Sequence, residues 1–258
     1  MKHPSVVSLL VALLPVAGWC DSPPPSTPPP PQGVWTGTGQ LGWLASQGNT
    51  QSKSANALLD LSLFEGPWQH SLHLGGLYGE NTNIPSAERW DALWQTNYSL
   101  TPDLYTFGAL RYARDLFSGF NYQASATAGF GYKFINTTDV KLSAQLGAGY
   151  RKDQTEDITK DGTGAVISRT LGPANSNAIL TAGLNYSQAL TDTTTLSDKL
   201  LVESGSSDTM ISNALALTVK ISTRLALSLG YTLLDNTKPT PGLKKLDTME
   251  TVNLVIGF

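Results

Sequence analysis

Cysteine is all but missing: Cys20 is the only one in 258 residues. A lone thiol excludes a disulfide framework, a CxxC redox pair and a thiolate metal cage. Histidine is scarce as well, with only His70 and His73 beyond His3. That leaves little for a serine nucleophile, which needs a base within hydrogen-bond reach and a third group to orient it. Neither sign of charge dominates. The 17 Lys and Arg stand against 20 Asp and Glu, a net −3, and no basic run suggests nucleic acid. Asp153, Glu156, Asp157 and Asp161 cluster near Gly162 and Gly164, but not at EF-hand spacing. A solvated acidic loop without a metal is expected there, with loose divalent-ion binding near lipopolysaccharide as the alternative, and no cofactor is expected anywhere. After residue 20 no stretch reaches the roughly 18 apolar residues of a membrane helix.

The N-terminus carries Lys2 and His3, an apolar stretch from Val6 to Ala17, then Gly18, Trp19 and Cys20. A short positive start followed by an apolar core too short to span a bilayer reads as a secretory signal over residues 1–20. Cleavage falls after Cys20 or after Ala17; a lipid-modified Cys20 is the third option, opposed by the bulk of Trp19. Residues 23–31 read PPPSTPPPP. Such a run joins neither sheet nor helix and favours polyproline II, so residues 21–34 are expected to form a semi-rigid periplasmic spacer.

From Trp35 onward the dominant period is two. Leu41, Trp43 and Ala45 share a face; so do Ala55, Ala57, Leu59, Leu61 and Leu63; so do Leu225, Leu227, Leu229, Tyr231 and Leu233. The opposite phases hold Ser, Thr, Asn, Gln, Gly and a few charges. Alternation of this kind marks half-buried strands. About twelve segments qualify: 35–45, 53–63, 68–78, 90–100, 104–115, 120–134, 140–150, 178–186, 194–204, 211–221, 225–233 and 246–258. Two are less regular. Residues 104–115 can be phased either way, and Asp198 falls on an apolar phase, so bulges are expected in both.

Connections alternate in length. Those at 65–67, 101–103, 136–139 and near Thr191 are short, whereas 79–88, 115–121, 152–175 and 235–245 are longer and polar. Short turns at one end and long loops at the other are the habit of outer-membrane barrels. In that topology Trp35, Trp68, Tyr98, Phe134, Tyr186 and Phe258 fall near one margin. Trp43, Tyr78, Trp90, Phe120, Tyr122 and Tyr150 fall near the other, as amphipathic rings do at two membrane interfaces. The fold expected over residues 35–258 is all-β, a transmembrane antiparallel up-and-down barrel of about twelve strands. Leu217, Leu227 and Leu254 should face lipid. A secreted or periplasmic soluble β-protein that binds a ligand is the competing reading.

The last strand ends on Phe258, which resembles the closing strand of bacterial outer-membrane barrels. The resemblance implies pairing of the last strand with the first, and an assembly signal at Phe258 read by the barrel assembly machinery. RDLFSGF at 114–120, Gln123 and the run GFGY at 129–132 are similar to the YdiY-like family of salt-induced outer-membrane β-barrel proteins, as are SQGNTQ at 46–51 and GAGYR at 147–151. The resemblance covers residues 35–258 and implies a barrel among outer-membrane lipids and lipopolysaccharide. It brings no catalytic residues. Within the 114–120 stretch, Arg114 and Asp115 are placed to pair, with Phe117 tucked beneath the loop around Gly119.

The polar phase would line a lumen. Its charged members are Asp60, His73, Arg89, Asp91, Lys133 and Lys141, followed by Arg151, Lys199, Glu203, Lys220 and Arg224. Charges in a barrel lumen either pair across it or line an aqueous path. The cationic excess in this set would favour anions. A non-enzymatic envelope component or a narrow channel for small solutes is the expected function.

Overall fold

The structure, a computed structural model, describes residues 31–46, 51–239 and 243–258. The expected signal segment and most of the expected proline-rich spacer lie outside the described residues. Twelve strands follow in order: β1 (Thr36–Ser46), β2 (Ser52–Glu65), β3 (Trp68–Asn81), β4 (Ile84–Ser99), β5 (Leu104–Asp115) and β6 (Phe120–Asn136), then β7 (Val140–Lys160), β8 (Val166–Ala189), β9 (Thr194–Gly205), β10 (Thr209–Lys220), β11 (Leu225–Asn236) and β12 (Leu246–Gly257). Each pairs antiparallel with its neighbours in sequence, and β12 returns to β1 to close the barrel. Closure removes the free edges that a sheet of this length would otherwise expose.

The burial pattern is inverted relative to a water-soluble protein. Arg151 is 2% exposed and Glu203 4%, while Leu180 is 68% exposed and Trp43 72%. Water cannot stabilise such an arrangement, because large contiguous apolar patches on soluble monomers are rare and charges are almost never fully buried unless paired. Alternation along each strand produces it: one phase points to a polar interior and the other to an apolar exterior. Exterior rings form two bands. Trp68 packs edge-on against Tyr98 near the end where β1 begins and β12 finishes, with centroids 4.8 Å apart. Trp90, Tyr112 and Tyr122 stack toward the other end, at 4.9 Å and 6.0 Å. Trp68 and Tyr78 on β3 are ten residues apart. At about 3.3 Å per residue and a tilt of about 40°, that is about 25 Å of height, the thickness of a barrel's apolar band.

At the end where β1 begins and β12 finishes the connections are two to four residues long. The other end differs from the sequence expectation in two places. Residues 79–88 form no loop: β3 and β4 continue to a two-residue turn at Thr82 and Asn83, both left-handed, with φ of 52° and 62°. That is the backbone of a type I′ hairpin. Residues 152–175 are likewise mostly strand. β7 runs to Lys160 and β8 begins at Val166, so only 161–165 turn. The extension is mostly polar because it stands beyond the apolar band, and its few apolar residues, among them Ile158, Val166, Ile167 and Leu171, keep no steady phase to read. The register of β9 is regular through Asp198. Its carboxylate sits on the exterior phase and accepts a 2.6 Å hydrogen bond from Asn213 Nδ2.

Candidate functional site

The interior of the barrel is the site, and side chains bridge it. Alternate burial settles the phase of β5, which the sequence left open. Tyr105 and Phe107 point inward and are 6% and 4% exposed. Gly131 on β6 makes room for this: a Cβ there would overlap the Tyr105 ring. With that phase fixed, Arg111 is also inward, a lumen residue that the sequence reading missed because both faces of β5 carry aromatic rings. Arg111 Nη1 donates to Glu203 Oε2 at 2.8 Å, joining β5 to β9 across the barrel rather than along the sheet. Ser125 Oγ on β6 donates to the other oxygen of Glu203 at 3.1 Å. Gln95 Nε2 on β4 donates to Gln145 Oε1 on β7 at 3.3 Å. Only groups that share a lumen can meet in this way.

The sequence-derived residues divide into three sets. Asp60, His73, Asp91 and Arg89 converge on β2 to β4. His73 Nδ1 lies 2.7 Å from Asp60 Oδ1 and Nε2 lies 3.4 Å from Asp91 Oδ2, and Arg89 Nε lies 3.7 Å from Asp91 Oδ1. Lys199 acts on Asp60 from the opposing β9. Arg151 forms a second cluster near the outer rim. It pairs with Asp208 in the β9–β10 connection and lies 3.7 Å from Asp153, so it pins residues 206–208 to the β7–β8 wall. Lys133, Lys141, Lys220 and Arg224 form the third set, at strand ends or turns at the end where β1 begins and β12 finishes, away from the middle of the lumen. Lys133 Nζ donates to the Pro102 carbonyl at 3.4 Å.

This placement separates the cations of that set from the opposite end of the barrel. Four of the cations lie at the terminal rim. The outer vestibule, a cavity of about 500 Å³, is lined by Glu80, Glu88, Asp115, Asp247 and Glu250 against Lys53 and Arg89. Carboxylates are in excess at this end.

The loop that follows β5 also departs from the sequence reading. Arg114 does not pair with Asp115, and its Nε is buried without a partner. Asp115 instead accepts the Phe117 amide at 2.9 Å. Phe117 lies between two cations of the β7–β8 extension, Lys160 at 5.5 Å and Arg169 at 5.6 Å. Arg169 Nη1 donates to Glu156 Oε2 at 2.8 Å and to the Leu116 carbonyl at 2.7 Å. The extended hairpin thus rests on residues 116–119. The acidic cluster of residues 153–161 is dispersed: Asp153 beside Arg151, Glu156 on Arg169, Asp161 in the turn. Among the described residues no group of three or more His, Cys, Asp or Glu could hold a metal. His70 is on the exterior, bonded to Thr96 Oγ1 at 3.0 Å, and His73 is bonded to carboxylates. Neither is hydrogen-bonded to a serine.

A closed antiparallel barrel with a polar, braced interior and an apolar exterior has the architecture of bacterial outer-membrane barrels. A family model described as "Protein of unknown function, DUF481" matches residues 39–258, and the chain belongs to that family. It is similar to the Escherichia coli (strain K12) protein described as "Uncharacterized protein YdiY", 26% identical over 222 residues, which cover 84% of this chain and 80% of the relative. Among solved structures, the NanC porin superposes with a TM-score of 0.46 at 14% identity, over 86% of this chain and 98% of the porin. The COG4313 outer membrane channel from Pseudomonas putida F1 superposes with a TM-score of 0.48 at 9% identity, over 88% of this chain and 96% of the channel.

Proposed function

We infer that the chain is a non-enzymatic bacterial outer-membrane barrel that acts as a narrow, internally braced channel with a preference for small cations. The observation that carries the reading is the bridge between Arg111 and Glu203, set across the interior of a barrel whose exterior is apolar. A twelve-stranded barrel lies between filled eight-stranded barrels and open sixteen-stranded porins, and cross-lumen pairs narrow whatever path remains. The acidic outer vestibule supports cation entry. Arg89, Asp91, Arg151, Lys199 and Glu203 would shape the path, while Lys133, Lys141, Lys220 and Arg224 would act only at its periplasmic mouth. Outer-membrane lipid and lipopolysaccharide would surround the exterior. Phe258, whose backbone exchanges bonds with Gly37 at 2.9 Å and 3.0 Å, would be the element offered to the assembly machinery.

Planar-bilayer recording on the purified protein tests this. Small conductance, a reversal potential of cation-selective sign in a KCl gradient, and at least a doubling of conductance in Arg111→Ala are expected. Porin-sized conductance or strong anion selectivity would refute the reading. The inward packing of Tyr105 and Phe107 favours a second reading, a closed structural barrel, which silence in both proteins would support.

A further inference from the structure

The sheet does not close evenly. Every other seam is paired over eleven or more residue pairs. The seam between β1 and β12 is in register over four, from Thr38↔Gly257 to Leu41↔Leu254, with Gly37 and Phe258 exchanging backbone bonds just below them. Above Leu41 the strands part. Residues 42–46 remain bonded to β2 and residues 246–253 to β11, but the edges that face each other carry no ladder.

Side chains stitch the seam where the backbone stops. Asn56 Nδ2 donates to Asn253 Oδ1 at 2.9 Å, and Asn253 Nδ2 donates to Gln40 Oε1 at 3.3 Å. Gly42 lies over this amide chain, and a Cβ there would overlap both Asn56 and Asn253. Asn253 is buried at 3% exposure. Above the stitch lies a cavity of about 490 Å³. Trp43, Leu217, Leu229 and Val252 line it from the exterior phase, and Ser54 and Asn56 from the interior phase. Ser54, Asn56, Glu250 and Thr251 also line the outer vestibule. The gap therefore passes through the wall.

Its depth matters. Val252 stands six residues before Phe258 on the last strand, which is about 20 Å along the strand and about 15 Å of height. The parted edges run through the outer half of the apolar band. Unpaired strand edges do not persist against bare lipid tails, so a group with hydrogen-bonding capacity must meet them. The outer wall of the cavity is continuous with the apolar exterior and suits an alkyl chain. Its inner end carries Ser54, Asn56 and Thr251 beside Leu44, and Glu250, the one charged side chain among its described lining residues, stands on the exterior phase two residues from Val252, which disfavours an anionic headgroup.

We propose that the parted seam between β1 and β12 is a lateral portal that binds a single-chain amphiphile with an uncharged or cationic headgroup bearing hydroxyl or amide groups, the chain against Val252 and the headgroup toward Ser54 and Asn56. The portal rests on the reading of the barrel as membrane-embedded. It gives the vestibule a side exit above the bridge between Arg111 and Glu203.

The test uses the full mature chain in phosphatidylcholine vesicles and a dodecyl glucoside with a diazirine at the chain end. Photolabelling should concentrate on residues 43–46 and 246–253. A tenfold excess of dodecyl maltoside should reduce it at least fivefold, and dodecanoate less than twofold. Bridging the pair Leu44→Cys and Thr251→Cys with a short reducible thiol reagent should lower labelling at least fivefold, and cleaving the bridge should restore it. Labelling spread over the exterior in proportion to exposure, or unchanged by the bridge, would overturn the portal; equal competition by dodecanoate would overturn the headgroup assignment. Heat-modifiable gel mobility in the same vesicles separates the two readings. If it is retained while labelling is unsaturable, only the portal falls; if it is absent, both fall.

Discussion

Removing Arg111 should destabilise the barrel far more than replacing the whole pair. Glu203 is buried to 5% side-chain exposure and Arg111 to 19%. In Arg111→Met the carboxylate keeps only the 3.1 Å bond from Ser125 Oγ. Breaking a buried pair from one side costs about 3–5 kcal/mol, because a charge is left uncompensated. The partial exposure of Arg111 places this case near the lower end, at about 3 kcal/mol. With a urea slope of about 3 kcal/mol/M, the unfolding midpoint should fall by about 1 M. Arg111→Met combined with Glu203→Leu should lie within about 1 kcal/mol of the parent, since an apolar replacement leaves no orphaned charge. Reversible urea unfolding in vesicles, followed by tryptophan fluorescence and gel mobility, supplies the cycle. A single-variant loss below about 1 kcal/mol, or a double variant as weak as the single, would refute the bridge as a buried cross-lumen contact.

Two further outcomes are expected. Thr82 is a β-branched residue held at φ 52°, a conformation that costs on the order of 1 kcal/mol, so Thr82→Gly should raise the unfolding free energy by about that amount; a loss of stability would contradict the type I′ assignment. In the β7–β8 turn, the Thr163 hydroxyl, followed by the amides of Thr163, Ala165 and Gly164, holds the Asp161 carboxyl below the usual carboxylate range. A depressed carboxyl stabilises the turn above the ordinary carboxylate pKa, and that contribution is lost as pH falls through the depressed value. Nicking at residues 161–165 by an acid-active protease should therefore rise on acidification in the parent and change little in Asp161→Asn.

Much of the fold is legible in the sequence because the bilayer band imposes a period of two. All twelve strands fall where alternation places them, and the short connections lie where Pro102 and Asp103 or Thr191 interrupt it. The failures share a physical cause. Period two cannot distinguish inside from outside when both phases are apolar, as in β5, where Tyr105 and Phe107 turned out to be interior. Beyond the apolar band the alternation disappears, so the extended β7–β8 hairpin reads as a loop. The turn at Thr82 and Asn83 lacks the glycine that usually signals one. Pairing between distant strands, such as Arg111 with Glu203 or Asn56 with Asn253, depends on barrel stagger and cannot be read from any local window.

The most direct measurement is nitroxide accessibility along β10 in vesicles. Cys20 is the only native cysteine, so single labels at positions 211 to 219 report cleanly once it is replaced. Labels at Ile211, Asn213, Leu215, Leu217 and Val219 are expected to collide with lipid-dissolved oxygen, and labels at Ser212, Ala214, Ala216 and Thr218 are expected to be shielded from it. A profile without the two-residue period, or uniform access to a water-soluble chelate at Leu215 and Leu217, would contradict the lipid-embedded barrel.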